Sequence, residues 1–205
     1  MKKNKIIVAL DSNNLNHNLK LIDLLKDQSF GFKVGYEFFF NFGITGYKLI
    51  KKKKIKIFLD LKLHDIPNTV KNGIKAISKL NPYFTTIHIS GGDEMQSITN
   101  LTKNKTKILG VSILTSLNSE QTKKFYFNKN INNIVSDYTN YALKNKLDGI
   151  VCSPKEIKNV KKIASNNLLI ITPGIRPSNY KNKKDDQSRT MTPRKAIAEG
   201  ADYLV

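Results

Sequence analysis

Eight short, β-branched apolar runs recur along this chain with helical patterns between them, and that alternation leaves few folds open to it. The runs are IIVAL (6–10), FGFKVG (30–35), IKIFLDLK (55–62), FTTIHIS (84–90), KILGVSIL (107–114), GIVCS (149–153), LLIITPG (168–174) and ADYLV (201–205). Between the first two, Leu15, Leu19 and Ile22 fall on one helical stripe, and Val70, Ile74, Ile77 and Leu80 do the same after the third. Thr192 and Pro193 read as an N-cap and first helical residue, with Gly200 as the stop. The connection from about 115 to 148 is long enough to carry an extra segment before its helix. Eight parallel strands with intervening helices predict a (β/α)8 TIM barrel, built as one domain over residues 1–205.

Most of these strands finish on a polar residue. Asp11, Lys33, Asp60 and Lys62, His88 and Ser90, Thr115 and Ser116, Ser153 and Thr172 stand at successive strand ends, which a barrel gathers at its C-terminal mouth. Loops begin at strand ends, so some polarity there needs no further reason. Lys33, Asp60 and Lys62 are different: each lies within a predicted strand between apolar neighbours, where an unpaired charge is expensive. In an extended chain Asp60 and Lys62 share a face, opposite Leu59, Leu61 and Leu63. If the second and third strands are neighbours, Lys33, Asp60, Lys62 and Asp65 can neutralise one another. Either a structural ion-pair network or a catalytic array satisfies that pattern.

Composition narrows the field. The formal charge of +19 invites a nucleic-acid reading, but only Arg176, Arg189 and Arg194 are arginines, and the lysines are scattered over expected helix surfaces and turns. The charge therefore reads as a solvated basic surface. No stretch reaches the roughly 18 apolar residues of a membrane span, and MKKNKIIVALD meets an aspartate too early for a secretory signal, so a cytoplasmic protein is expected. Cys152 is the only cysteine, has no metal-ligand spacing around it, and reads as a small core side chain.

Five motifs in order carry a resemblance. VALD (Val8–Asp11), DLKLHDIPNT ending in His64–Thr69, ILTS (Ile113–Ser116), TPGIRP (Thr172–Pro177) and DQSRTMTP (Asp186–Pro193) together resemble the orotidine 5′-phosphate decarboxylase family over nearly the whole chain. The resemblance implies that Lys62 delivers a proton to pyrimidine C6, that Asp60 and Lys33 complete the charged array and touch the ribose, and that Asp11 binds the sugar. It implies a homodimer with shared sites, in which Asp65, Ile66 and Thr69 enter the neighbouring subunit's pocket. Thr115 matches a contact near the base, and Arg176 and Gln187 match contacts to the nucleotide and its phosphate, on a loop of about 174–191 that closes as a lid.

The chemistry explains the residue types. Loss of carbon dioxide from C6 of orotate leaves an electron pair in an in-plane orbital that the ring π system cannot delocalise. No cofactor is expected from this sequence, so the site must stabilise that pair electrostatically, with a fixed ammonium serving first as counter-charge and then as acid. His64 reads as a structural, hydrogen-bonded histidine, His17 as a surface residue, and His88 as a possible lining of the mouth. The chain ends at Val205, within the expected eighth strand. Members of the family continue with a glycine-arginine phosphate grip and a final helix, so this chain is expected to form a barrel lacking the end of strand 8 and the final helix. Closure and phosphate affinity are expected to be weakened if these 205 residues are the whole protein, and full activity is expected of the longer protein if they are a fragment. Lys181, Lys183 and Lys184 could stand near the phosphate instead. Three rival readings remain at this point: a Mg²⁺-dependent sugar-phosphate lyase or aldolase of the same barrel group, a nucleotide-binding protein without activity, and a nucleic-acid binder.

Overall fold

The computed structural model describes residues 4–97, 106–178 and 189–205. All eight expected strands are there: β1 (Ile7–Ala9), β2 (Gly31–Val34), β3 (Ile57–Leu63), β4 (Phe84–His88), β5 (Lys107–Val111), β6 (Gly149–Val151), β7 (Leu169–Thr172) and β8 (Tyr203–Leu204). They pair in parallel in chain order, each with the next. Helices α1 (Leu15–Leu25), α2 (Tyr36–Lys51), α3 (Pro67–Leu80), α4 (Gly92–Gln96), α5 (Ser119–Phe125), α6 (Ile131–Lys144), α7 (Ile157–Ala164) and α8 (Pro193–Glu199) fill the connections. The extra segment expected in the fifth connection is α5, closed by a capping box between Asn118 and Gln121.

Strand β8 spans only Tyr203–Leu204, shorter than the 201–205 run, yet it is paired on both sides. The Leu204 N–H donates to the Lys5 carbonyl at 2.9 Å and the Val205 N–H to the Thr172 carbonyl at 2.9 Å, and Ile6 bridges Leu204. The eighth strand therefore reaches back to the first, and the barrel is nearly closed. Such short pairing on each side suffices, because closure needs register rather than length.

Burial divides along the two faces that strand alternation creates. Inward-facing Ile7, Phe58, Phe84, Leu109 and Ile171 form a cluster inside the barrel, while outward-facing residues such as Phe32, Val34, Leu59, Ile87, Ile108 and Ile150 pack beneath the helices. The stripes supply the opposite wall: Val70, Ile74 and Ile77 of α3 and Ile22 of α1 are buried, with Leu15 and Leu19 packed against them. Gly110 lets this layer close, since a Cβ there would come within 2.6 Å of Leu147 Cδ1. Pro193 starts α8 and Gly200, at φ +115°, ends it as expected, although Thr192 makes no side-chain cap bond. At the N-terminal end of the barrel Phe30, Tyr83, Phe84 and Tyr203 stack as a plug, with Phe30 and Tyr203 centroids 4.2 Å apart. The interior thus runs from an aromatic floor to a charged rim. Among the described residues no helix is long and apolar enough to cross a membrane.

Candidate active site

Two residues above Phe58 on the inward face of β3, the apolar filling gives way to Asp60. Its carboxylate is held on both oxygens: Lys62 Nζ reaches Oδ2 at 2.7 Å, and the Thr86 hydroxyl of β4 donates to Oδ1 at 2.9 Å. The Asp60 side chain is 10 % exposed and that of Lys62 28 %, so the carboxylate lies beneath and the ammonium faces the mouth. Partial burial makes this pair stronger than a surface ion pair and makes either member costly to strand.

Regular alternation does not produce this arrangement. Lys62 has φ +45°, and the β3–β4 register shifts between Leu59 and Leu63. A positive φ at a residue with a long side chain costs on the order of 1–3 kcal/mol and persists only where its surroundings impose it. Two side chains supply that restraint, taking up backbone groups displaced from the ladder: the Lys62 N–H donates to Thr86 Oγ1 at 2.8 Å, and the Tyr36 hydroxyl donates to the Leu61 carbonyl at 3.0 Å. The irregularity re-aims Lys62.

The four expected charges do not form one network within the chain. Strands β2 and β3 are neighbours, with Lys33 opposite Phe58, yet Lys33 Nζ pairs with Asp11 Oδ1 at 3.4 Å rather than with Asp60. Gly35 leaves room for that pair, since a Cβ there would lie 3.3 Å from Lys33 Nζ. Asp65 stands in the exposed turn before α3 and accepts the Ile66 N–H on Oδ1 at 2.7 Å. Ile66 and Thr69 beside it are also exposed. The chain therefore brings Asp11, Lys33, Asp60 and Lys62 together in two pairs and leaves Asp65, Ile66 and Thr69 facing outward.

On the opposite side of the mouth a buried arginine joins three connections. Arg189 pairs with Glu156, and its Nη2 and Nε donate to the carbonyls of Leu114 at 3.0 Å and Thr115 at 3.4 Å. Glu156 also accepts the Ser153 N–H at 3.0 Å. Burial pushes the Glu156 carboxyl up from its ordinary value, against the pull of Arg189. Breaking a buried pair of this kind costs about 3–5 kcal/mol. It therefore anchors the segment that carries Thr115. Arg176 is half-buried, its Nη1 donates to the Ile175 carbonyl at 3.0 Å, and its backbone N–H meets the Met191 carbonyl at 3.0 Å, across the base of the seventh loop. Gln187, Lys181, Lys183 and Lys184 lie outside the described residues.

His88 lines the mouth beside the array. Burial, with smaller contributions from His64 and Lys62, pushes its imidazole down to about 4, while Asp60 opposes. Its ring lies 5.2 Å from that of the exposed His64, whose Nε2 is 3.4 Å from Ser90 Oγ. Because the folded value lies below that of an unfolded histidine, the unfolded chain binds the extra proton between pH 6.5 and 4. Stability should thus fall across that interval, by about 1–2 kcal/mol once solvent screening at the partly exposed ring is allowed for. Melting midpoints measured from pH 7 to 4.5 should show this slope, and His88→Asn should flatten it. Cys152, as expected, is fully buried.

Thr86, Tyr36, Arg189 and Glu156 are the parts that sequence reasoning misses. Thr86 shares strand parity with His88, and Arg189 lies within DQSRTMTP, so each carried a faint signal. Among the described residues no cluster of three or more His, Cys, Asp or Glu side chains could hold a metal ion.

Together these features define a parallel eight-stranded barrel with a paired, partly buried lysine at its C-terminal mouth. A family model described as Orotidine 5′-phosphate decarboxylase / HUMPS matches residues 4–205. The orotidine 5′-phosphate decarboxylase of Wolbachia sp. subsp. Brugia malayi is 41% identical over 204 residues, covering 98% of this chain and 89% of the relative. That of Wigglesworthia glossinidia brevipalpis is 39% identical over 211 residues, covering 100% and 89%. The crystal structure of orotidine 5′-phosphate decarboxylase from Lactobacillus acidophilus superposes with a TM-score of 0.84 at 34% identity, covering 98% of this chain and 89% of that one. The chain belongs to the Orotidine 5′-phosphate decarboxylase / HUMPS family.

Proposed function

We propose that this chain converts orotidine 5′-phosphate to uridine 5′-phosphate and carbon dioxide, the decarboxylation that supplies uridine nucleotide in pyrimidine biosynthesis, using no metal or organic cofactor. The observation that carries the reading is the Lys62 ammonium held at 2.7 Å on a carboxylate that is itself fixed by a second hydrogen bond. As the C6 carboxylate leaves, the electron pair stays in the plane of the ring. A cation already in place stabilises it without reorganisation, then transfers a proton to C6. Carbon–carbon cleavage leaves the pair on carbon, and the new C6–H bond takes its proton from Lys62 Nζ.

The remaining roles follow the mouth outward. Asp60 positions Lys62 and, with Lys33 and Asp11, meets the ribose hydroxyls. Thr115, on the segment anchored by Arg189, contacts the base, and Arg176 and Gln187 engage the nucleotide and its phosphate. Binding energy from that remote group holds the closed state in which the array acts. Asp65, Ile66 and Thr69 serve the neighbouring subunit of a homodimer. Ile66 is 67% exposed and Phe40 78%, and Phe40 stacks on Tyr36 at 5.7 Å beside the end of β3, which supports an apolar face there that a second copy covers. The reading carries a cytoplasmic location, and neither nucleic acid nor membrane is a partner in it.

The test is loss of orotidine 5′-phosphate absorbance on addition of the purified chain, run with and without a metal chelator. Turnover indifferent to chelator is expected. Turnover abolished by chelator and restored by Mg²⁺ would instead favour the enediolate chemistry of a lyase, and tight uridine 5′-phosphate binding without turnover would mark an inactive nucleotide binder.

A further inference from the structure

We infer that Thr86 is a positioning residue for the reaction proposed above, acting through Asp60 and the backbone of Lys62; the inference rests on that reading. Thr86 lies on the inward face of β4 and is fully buried, so its hydroxyl is not open to solvent at the mouth. A threonine hydroxyl has one proton to donate and lone pairs to accept with. Here the proton goes to Asp60 Oδ1 at 2.9 Å and a lone pair takes the Lys62 N–H at 2.8 Å. One oxygen atom therefore binds both members of the ion pair.

Each bond does separate work. With Oδ2 on Lys62 Nζ and Oδ1 on Thr86, the Asp60 carboxylate has no free rotation about its terminal torsion, so the ammonium sits on a fixed acceptor. The second bond holds the Lys62 amide at the register shift, where φ is +45° and the regular ladder offers it no partner. Without it, the backbone is released toward ordinary strand geometry, and Lys62 Nζ moves with it. Displacing a catalytic group by about 1 Å is enough to slow a reaction on the order of 10²-fold.

The experiment compares Thr86→Val, close in shape but lacking the oxygen, with Thr86→Ser, which keeps it, by steady-state kinetics and uridine 5′-phosphate binding. Thr86→Val should lower kcat on the order of 10²-fold while KM and product affinity change by less than about threefold, the signature of an interaction expressed in the transition state. Thr86→Ser should recover kcat to within about fivefold of the unaltered chain, because the hydroxyl can occupy the same place. In an Asp60→Ala background the further loss from Thr86→Val should shrink to less than about tenfold, because groups acting through one another are not additive. An unchanged kcat in Thr86→Val, equal losses in Val and Ser, or loss of uridine 5′-phosphate binding together with kcat would overturn the positioning role while leaving the decarboxylase reading intact. No turnover by the unaltered chain would overturn that reading, and this inference with it.

Discussion

Lys62→Ala should lose decarboxylation by at least about 10⁴-fold, since one substitution removes both the proposed general acid and the proposed counter-charge, each ordinarily contributing on the order of 10²–10⁴. Nucleotide affinity should survive. The contacts proposed for ribose, base and phosphate lie on Asp11, Lys33, Thr115 and Arg176, and uridine 5′-phosphate carries no leaving carboxylate for the ammonium to meet. Asp60 would be left partly buried with only Thr86 on one oxygen, so some loss of thermal stability accompanies the change. The decisive measurement pairs single-turnover decay of orotidine 5′-phosphate with calorimetric binding of uridine 5′-phosphate. Turnover near that of the unaltered chain would remove Lys62 as the proton source.

An equal mixture of inactive Lys62→Ala and inactive Asp65→Ala chains should recover activity after subunit exchange. If each site takes Lys62 from one chain and Asp65 from the other, half of the randomly assorted dimers are mixed, and each mixed dimer holds one intact and one doubly damaged site. Recovery should approach about one quarter of the unaltered rate by this symmetry argument. The geometry motivates the test: Asp65 occupies an exposed turn and, among the described residues, is bonded only locally to the Ile66 N–H, beside exposed Ile66 and Thr69. The proposed role of Asp65 in chemistry is compatible with that exposed position only if a second chain receives it, which is what the mixture tests. Confirmed exchange, by native mass spectrometry of differently tagged chains, without recovery would place Asp65 outside the partner's site.

How much was legible in advance depended on the range of the interaction. All eight strands are legible from local runs, because short β-branched or aromatic segments bounded by turn residues fit a buried pleated strand. The position of Asp60 and Lys62 at the rim was legible too, since charges amid apolar residues need a mouth or a partner. Their partners were not. Lys33 chose Asp11, through the β1–β2 pairing in which Ala9 lies opposite Lys33. Asp60 found a neutral hydroxyl on the next strand. The degree of barrel closure is not legible locally for the same reason: the bonds from β8 to its neighbours depend on where β1 arrives in space.

The order of residues alone determined the alternation of strands and helices, the polar character of the strand ends and the family the chain belongs to, because these rest on local spacing and on motifs contiguous in the chain. Only the tertiary structure decided that Lys62 would leave the regular strand conformation, that Thr86 would hold it there, and that Arg189 would tie down the segment carrying Thr115. Those outcomes join residues 24 and 74 positions apart. Hydrogen bonds over such separations form only after packing has fixed which strand lies beside which, and local pattern holds no record of that choice.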